Sequence, residues 1–150
     1  MKKLPLFAIA LAFLATGCKK ESASGSGGSG TCTLSKTSLP GVYVITAATY
    51  QVDAQSAPED EFALYDACEK DDLFTIKNDG TLTTSEGATS CTPPSDPSSS
   101  NWVLNGSNFI ITDGATEDPY TISEFKCNSF KLKYVDATDN SIYIYTFTRK

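Results

Sequence analysis

The sequence contains no histidine, and its only methionine is Met1. Without histidine, the chain cannot form a Ser-His-Asp or Cys-His catalytic site, a histidine-ligated zinc site or a histidine pH switch. Haem held by histidine or methionine ligands is excluded as well. The remaining catalytic options are carboxylate chemistry and Ser-Lys chemistry. An enzyme is therefore the least supported class of function for this chain, and no cofactor is expected.

Positive charge is scarce: the 150 residues include 12 Lys and Arg against 18 Asp and Glu. Every acidic residue except Glu21 lies after residue 31, whereas several lysines lie before residue 31. Residues 32–150 are therefore more acidic than the whole chain. A negative field repels phosphate backbones, and the sequence has no Arg-rich or Lys-rich stripe. Nucleic acid is therefore not an expected partner.

No hydrophobic run is long enough to cross a bilayer, which needs roughly 20 apolar residues. The longest run, residues 4–15, follows Lys2 and Lys3 and ends in small residues just before Cys18. A charged start, an apolar stretch and small residues before a cleavage site form a signal peptide. The segment resembles a bacterial lipoprotein signal, which implies that residues 1–17 are removed and that Cys18 is lipidated.

Residues 18–31 continue as a Gly- and Ser-rich chain, and this composition predicts a flexible tether. Acylation of Cys18 by several chains gives stable membrane attachment, whereas a single chain is marginal. Lys19, and not aspartate, follows the cysteine, which favours sorting to the outer membrane. We therefore expect a lipid-anchored protein of a bacterial outer membrane, facing the periplasm or the cell surface, with the membrane as its first partner.

Residues 32–150 are rich in strand-forming residue types and show almost no helical periodicity. Polar and apolar residues alternate most clearly over residues 129–134, as a half-buried strand requires. One short helix is expected at residues 59–67, where Phe62 and Tyr65 share a face. Turn residues delimit eight predicted strands, at residues 41–53, 73–77, 81–86, 101–104, 108–112, 120–125, 129–135 and 141–148.

The connections between these strands alternate between longer and tight ones. The longer connections are residues 54–72, 87–100, 113–119 and 136–140, and the tight ones are residues 78–80, 105–106 and 126–128. In an up-and-down meander, successive connections fall at opposite ends, so one rim carries the longer loops and the other the tight hairpins. An immunoglobulin-type sandwich has long links at both ends. The sequence therefore predicts an all-β, eight-stranded antiparallel up-and-down barrel with one short helix in its first long loop.

Several motifs follow one another along this strand pattern. They are Leu39-Pro40-Gly41-Val42-Tyr43, Cys68-Glu69-Lys70-Asp71-Asp72, Asn78-Asp79-Gly80-Thr81, Cys91 and Asn101-Trp102-Val103-Leu104. With them, the chain resembles the lipocalin-like lipoproteins of Bacteroidetes over residues 39–148, with Tyr43 where tryptophan is usual. The resemblance implies a lipocalin-like barrel over residues 32–150 and an anchored location, and it brings no specific biochemical activity.

Four of the five cysteines remain for disulfides once Cys18 is lipidated. Cys68 and Cys91 fall in connections at the rim with the longer loops. Cys32 and Cys127 fall at the opposite rim, roughly 15 to 20 Å away along the strands, whereas bonded cysteines need Cα atoms about 5.5 Å apart. We therefore expect the pairs Cys68 with Cys91 and Cys32 with Cys127. A thiolate metal site is the alternative, but there is no Cys-x-x-Cys pair, and no metal is expected.

Acidic residues concentrate in residues 59–72, in the first long loop. We favour a solvated acidic loop. Calcium binding is the alternative, although no EF-hand pattern is formed around Gly80, Gly87 or Gly114. Paired carboxylates there would also serve glycoside hydrolysis if their separation suited that mechanism.

An aromatic row occupies one face of the last predicted strand, at Tyr143, Tyr145 and Phe147. If exposed, the row is suited to stacking on sugars or to meeting a partner. We favour the alternative, in which the predicted helix at residues 59–67 or a terminal segment covers it.

Alternation divides each strand into two faces, and the resemblance to the lipocalin-like family implies which face points into the barrel. The side chains on that face are Tyr43, Ile45, Phe74, Ile76, Leu82, Trp102, Leu104, Phe109, Ile111, Ile122, Phe130, Leu132 and Tyr134. Because buried tyrosine hydroxyls need partners, we expect Tyr43 and Tyr134 either to bond groups in each other's neighbourhood or to reach a bound polar group. Tyr43, Tyr134 and Trp102 are therefore the expected ligand contacts. So many aromatic rings leave little space inside, so the expected pocket is shallow, lies at the rim with the longer loops, and is lined by Trp102 and Tyr134.

Two function classes remain besides the carboxylate enzyme. The favoured one is a membrane-anchored, non-enzymatic binding module that takes a small apolar or amphipathic ligand at the barrel rim. The alternative is a structural or interaction lipoprotein with a filled core that contacts an envelope protein or a glycan. A cavity of several hundred Å³ would favour the first.

Overall fold

The computed structural model describes residues 32–150, whose regular secondary structure is almost wholly β-strand. The nine strands are β1 (Gly41–Gln51), β2 (Glu59–Asp60), β3 (Leu73–Ile76), β4 (Thr81–Ser85), β5 (Ser98–Asn105), β6 (Asn108–Asp113), β7 (Thr116–Ser123), β8 (Ser129–Val135) and β9 (Ile142–Arg149). The predicted signal peptide, Cys18 and the tether lie outside the described residues. Within residues 32–150, no helix has the length and apolar character needed to cross a membrane.

The strands form one closed barrel. From β3 to β9 each strand pairs antiparallel with the next, and β1 pairs antiparallel with both β3 and β9. All the strands except β2 therefore make up the eight-stranded up-and-down barrel that the sequence predicts. The barrel, its hydrophobic core and both disulfides lie within residues 32–150, so this part of the chain is a unit with its own core.

The two ends of the barrel differ. We call one end the mouth; its connections are residues 52–72, 86–97, 114–115 and 136–141. We call the other the closed end; its connections are residues 77–80, 106–107 and 124–128. One mouth connection is shorter than expected, because β6 and β7 extend into residues 113–119 and leave a two-residue turn. Gly114 occupies this turn with a φ of 58°, a conformation that glycine adopts without strain.

The short helix expected over residues 59–67 of the first long loop spans only Phe62–Leu64, as one 3₁₀ turn. The residues before it form β2, which pairs with the second half of β1. The pairing occurs because β3 reaches only the first residues of β1, from Gly41 to Tyr43, and leaves the rest of that edge open. An exposed strand edge offers backbone partners, and a helix this short is marginal by itself.

Period-two alternation fills the barrel largely as predicted. Every side chain predicted to point inward, except Tyr134, belongs to the buried core or packs against it. The core also contains side chains that were not predicted: Leu39 and Phe147 within it, and Leu34, Tyr120, Phe125 and Tyr145 against it.

A β-bulge in β1 decides which side chains of its second half point inward. The register between β1 and β9 shifts after Ile45, so that Ala48 lies opposite Tyr145 and Tyr50 opposite Tyr143. Directly opposite residues share a face of the sheet, and Ala48 is buried. The aromatic row of β9 therefore faces the barrel interior and is not an outer surface.

The two disulfides are the pairs predicted from the positions of the cysteines. Cys32 is bonded to Cys127 at the closed end, with Cα atoms 5.1 Å apart. Cys68 is bonded to Cys91 at the mouth, with Cα atoms 5.2 Å apart. The segment before β1 is thus fixed to the closed end of the barrel.

Arg149, the last residue of β9, ties the segment before β1 to the barrel. Its Nη2 donates to the Tyr43 hydroxyl at 2.7 Å and to the Ser38 carbonyl at 3.0 Å, and its Nη1 donates to the Pro40 carbonyl at 2.9 Å. The guanidinium also lies over the Tyr43 ring, 5.0 Å from its centroid. Gly41 makes room for it, since a Cβ there would come within 2.8 Å of Arg149 Cζ.

Candidate functional site

The barrel encloses an apolar cavity of about 290 Å³ that is partly open to solvent. Its inner part is lined mainly by core side chains, and its outer part, towards the mouth, includes two hydroxyls and two tyrosines. The lining residues are Ile45, Phe74, Ile76, Leu82, Thr84, Ser100, Phe109, Ile111, Tyr120, Phe130, Leu132, Tyr145 and Phe147. The cavity therefore extends into the barrel and is not the shallow rim pocket that the sequence suggested.

Trp102 does not line this cavity. The strand β5 begins at Ser98, three residues earlier than predicted, so Trp102 lies further from the mouth. Its amide donates to the Gly80 carbonyl at 2.7 Å and its indole Nε1 to the Lys77 carbonyl at 3.0 Å, both in a closed-end hairpin. Its ring stacks on Phe109, which does line the cavity. Trp102 thus supports the cavity wall from the closed end.

Tyr43 and Tyr134 are also absent from the cavity lining. Tyr43 is buried, and its hydroxyl donates to the Leu39 carbonyl at 2.6 Å and accepts from Arg149. Burial raises the pKa of Tyr43, with Arg149 acting in the opposite direction. Tyr134 lies one layer further out, with its ring centroid 5.3 Å from that of Tyr120. In place of the predicted pocket lined by Trp102 and Tyr134, the structure has a cavity that neither of these side chains lines. Contact of Trp102, Tyr134 and Tyr43 with a ligand stays a prediction.

Tyrosine rings pack against one another at the mouth, above the cavity. The ring of Tyr143 lies 5.1 Å from that of Tyr50, 6.2 Å from that of Tyr134 and 6.5 Å from that of Tyr145, measured between centroids. Tyr50 and Tyr143 also line a second, shallower hollow of about 270 Å³, which we call the mouth hollow. Its other lining residues are Glu59, Asp60, Glu61 and Leu64.

Glu61 lines the mouth hollow, and, besides burial, its charge raises the pKa of Tyr145, which lines the cavity. Its amide donates to the Ala48 carbonyl at 3.0 Å, which continues the pairing of β2 with β1. Burial raises the pKa of the Glu61 carboxyl. Burial also raises the pKa of Tyr145 strongly, and the nearby negative charge of Glu61 adds to the effect.

Other acidic residues of the mouth hold the loops that carry the Cys68–Cys91 disulfide. Asp71 Oδ2 accepts from the amides of Ala88 at 2.8 Å and Thr89 at 3.0 Å. Glu86 Oε1 accepts from the amides of Cys91 at 3.1 Å and Ser95 at 2.7 Å, and these bonds lower the pKa of Glu86. Within residues 32–150, no group of three or more His, Cys, Asp or Glu side chains is arranged to hold a metal ion.

Sequence reasoning did not place Tyr120, Tyr145 or Glu61 at the cavity, although Tyr145 belongs to the predicted aromatic row and Glu61 to the predicted acidic loop. Tyr120 follows the same alternation that placed Ile122 inward, so its orientation was available from the sequence. The orientation of Tyr145 depends on the register with β1, and the position of Glu61 depends on β2. Neither of these features has a local sequence signal.

The fold and cavity define a class of protein, the closed up-and-down antiparallel barrel with an apolar interior that opens at one end. A family model described as a lipocalin-like domain matches residues 39–132. The chain belongs to the lipocalin-like domain family. No curated protein sequence matches it. Barrels of this family are ligand-binding or structural modules and are typically not enzymes.

Proposed function

We propose that this protein is a membrane-anchored, non-enzymatic binding module that takes a small apolar or amphipathic ligand into its barrel. The observation that carries the proposal is the apolar cavity of about 290 Å³. An apolar cavity of roughly 150 Å³ already admits benzene, and ligand pockets begin at about 300 Å³. The ligand is therefore small, of the size of a molecule with two or three aromatic rings or of a short alkyl chain.

The position of Cys32 supports an anchored arrangement. Cys32 is fixed to the closed end through Cys127. A lipid on Cys18, followed by the tether, would hold the closed end towards the membrane and leave the mouth directed away from it. A ligand would then reach the cavity from the aqueous side.

Replacing Cys18 with serine tests the anchor. In a host with lipoprotein processing, we expect the unsubstituted chain to partition with membranes and to carry acyl chains on Cys18. The Cys18→Ser chain is expected to accumulate unprocessed and to carry no acyl chain, because the acylated thiol is absent. Intact mass and globomycin sensitivity measure both effects. Equal acylation and processing of the two chains would contradict the anchor.

Replacing Thr84 with phenylalanine tests the cavity. We expect N-phenyl-1-naphthylamine, an uncharged apolar dye, to bind residues 32–150 saturably with enhanced fluorescence. Thr84→Phe is expected to weaken this binding about tenfold or more, because added bulk in a packed interior costs about 1–3 kcal/mol. Thr84 lines the cavity. Thr83, the preceding residue of β4, lies on the opposite face of the strand.

Thr83→Phe is therefore the matched control, since it adds the same ring to the outer face. Its dye affinity is expected to equal that of the unsubstituted chain. Ser100→Phe, from the neighbouring strand β5, repeats the test if Thr84→Phe does not fold. Absence of dye binding to the unsubstituted chain, or equal loss in Thr83→Phe and Thr84→Phe, would contradict the proposal.

The alternative is a lipoprotein that acts through protein or glycan contacts at its mouth. It is favoured by exposed apolar side chains in the first long loop, where Val52 is 56% and Leu64 is 82% exposed. Native mass spectrometry of the protein purified from its own envelope separates the two functions. A bound small molecule supports the binding module, and a bound protein or glycan supports the alternative.

A further inference from the structure

Negative charge is concentrated at the mouth. The acidic residues that the structure describes lie in mouth connections or in the adjoining strand ends, except Asp79 and Glu124 at the closed end. In the described mouth connections Lys70 is the only basic residue, and its Nζ lies 5.3 Å from the centroid of the Phe62 ring. Among residues 32–150 the one ion pair joins Lys131 to Glu124 at the closed end. The mouth carboxylates are therefore not neutralised by ion pairs.

Within this acidic region, the mouth hollow contains a carboxylate oxygen that lacks a partner. Glu61 Oε2 is shielded from solvent and accepts no hydrogen bond from any described residue. Shielded carboxylate oxygens are normally hydrogen-bonded, so a donor from a ligand would satisfy a group that the protein leaves unsatisfied. Leu64, 82% exposed, lines the same hollow and offers an apolar contact beside the carboxylate.

The mouth hollow and the cavity lie on the two sides of a pair of stacked rings. Tyr143 lines the hollow and Tyr145 lines the cavity, and their planes are 9° apart. The faces of the mouth tyrosines, Tyr50 and Tyr143 among them, are negative and attract cations. The combined site is thus apolar at its inner end and negative and aromatic at its outer end.

We propose that the ligand of this site is a cationic amphiphile, with its apolar part in the cavity and a protonated amine in the mouth hollow beside Glu61. This inference rests on the proposed function, because it assigns a chemical class to the ligand of the same cavity. The amine donates to Glu61 Oε2 and packs against the rings of Tyr50 and Tyr143. The acidic mouth attracts the cation from solution, since a cleft lined by charge of one sign focuses its field.

An anionic amphiphile of the same length fits this arrangement poorly. Its carboxylate would approach Glu59, Asp60 and Glu61 with no basic side chain in the hollow to receive it. A neutral alcohol keeps the apolar contacts in the cavity and gains no charge interaction. The structure therefore predicts an order of affinity in which the amine binds best, the alcohol next and the carboxylate least.

Displacement of N-phenyl-1-naphthylamine from residues 32–150 at neutral pH tests this order. The three competitors are n-octylamine, 1-octanol and octanoate, which share one alkyl length and differ in charge. We expect n-octylamine to bind about tenfold or more tightly than 1-octanol, because its ammonium gains attraction to the carboxylate and to the tyrosine faces that an uncharged hydroxyl does not gain. Glu61→Gln should remove most of the advantage of n-octylamine over 1-octanol.

Asp96→Asn is the matched control, because it removes one negative charge from a mouth loop outside the cavity and the mouth hollow. It is expected to keep the amine preference. If the dye binds but the three competitors are equal, or octanoate binds best, the amine assignment is wrong and the binding module stands. An equal loss of amine preference in Asp96→Asn and Glu61→Gln would also overturn the role of Glu61. If the dye does not bind the unsubstituted chain, the proposed function itself fails.

Discussion

Replacing both Cys32 and Cys127 with serine is expected to lower the free energy of unfolding by about 4.5 kcal/mol. This disulfide spans a sequence separation of 95 residues, and on the chain-entropy model a longer closed loop restricts the unfolded chain more. It also fixes the segment before β1 to the closed end. Urea unfolding followed by Trp102 fluorescence measures the loss as a shift of the midpoint.

The second disulfide provides the matched comparison. Cys68 and Cys91 are separated by 23 residues, so their double serine variant is expected to lose about 3 kcal/mol. The order of the two losses is the critical result. A greater loss for the Cys68–Cys91 pair would contradict the entropic account. Peptide mapping without reductant checks the pairing, and a crosslink between a closed-end and a mouth cysteine would contradict the barrel topology.

Replacing Arg149 with methionine is expected to destabilise the protein by about 3 kcal/mol. The guanidinium donates to two carbonyls and to the Tyr43 hydroxyl, and its loss leaves these partly buried acceptors without that donor. Each such group costs about 1–3 kcal/mol, and methionine retains part of the apolar packing. Thermal or urea unfolding of residues 32–150 measures the effect.

Lys150→Met is the control for this prediction, because Lys150 is adjacent in sequence, exposed and of the same charge. Its change in unfolding free energy is expected to stay within about 0.5 kcal/mol. Arg149→Lys should lie between the two, since an ammonium keeps the charge but cannot reproduce the fork of the guanidinium. Equal effects of Arg149→Met and Lys150→Met would show that the guanidinium contacts contribute nothing.

Much of the barrel could be predicted from local sequence. Strand-forming runs separated by turn residues identify all eight barrel strands, because they depend on residues near one another in the chain. Alternation, with the inward face implied by the family resemblance, identifies most of the core. The disulfide pairs follow from the up-and-down path, since it assigns each connection to one end. The helix in the first long loop is shorter than residues 59–67, because Glu59 and Asp60 pair with a distant strand edge.

The candidate site depended more on tertiary structure. Alternation decides which residues of a strand share a face, but it does not decide which face points inward after a bulge. The register shift in β1 brought Tyr50 to Tyr143 and Ala48 to Tyr145, and the pairing of β2 brought Glu61 to the mouth. Trp102 was assigned to the wrong end because three added residues of β5 moved it along the barrel.

The strand order, the disulfide pairs and the predicted anchor at Cys18 follow from the amino-acid sequence alone. The depth of the cavity, the tyrosines at its mouth and the contacts of Arg149, which bonds a residue 106 positions away, depend on how distant parts of the chain pack together. The physical reason is the range of the interactions. Secondary structure follows from neighbours in the chain, whereas a cavity is the space left where distant strands, bulges and loop segments pack together.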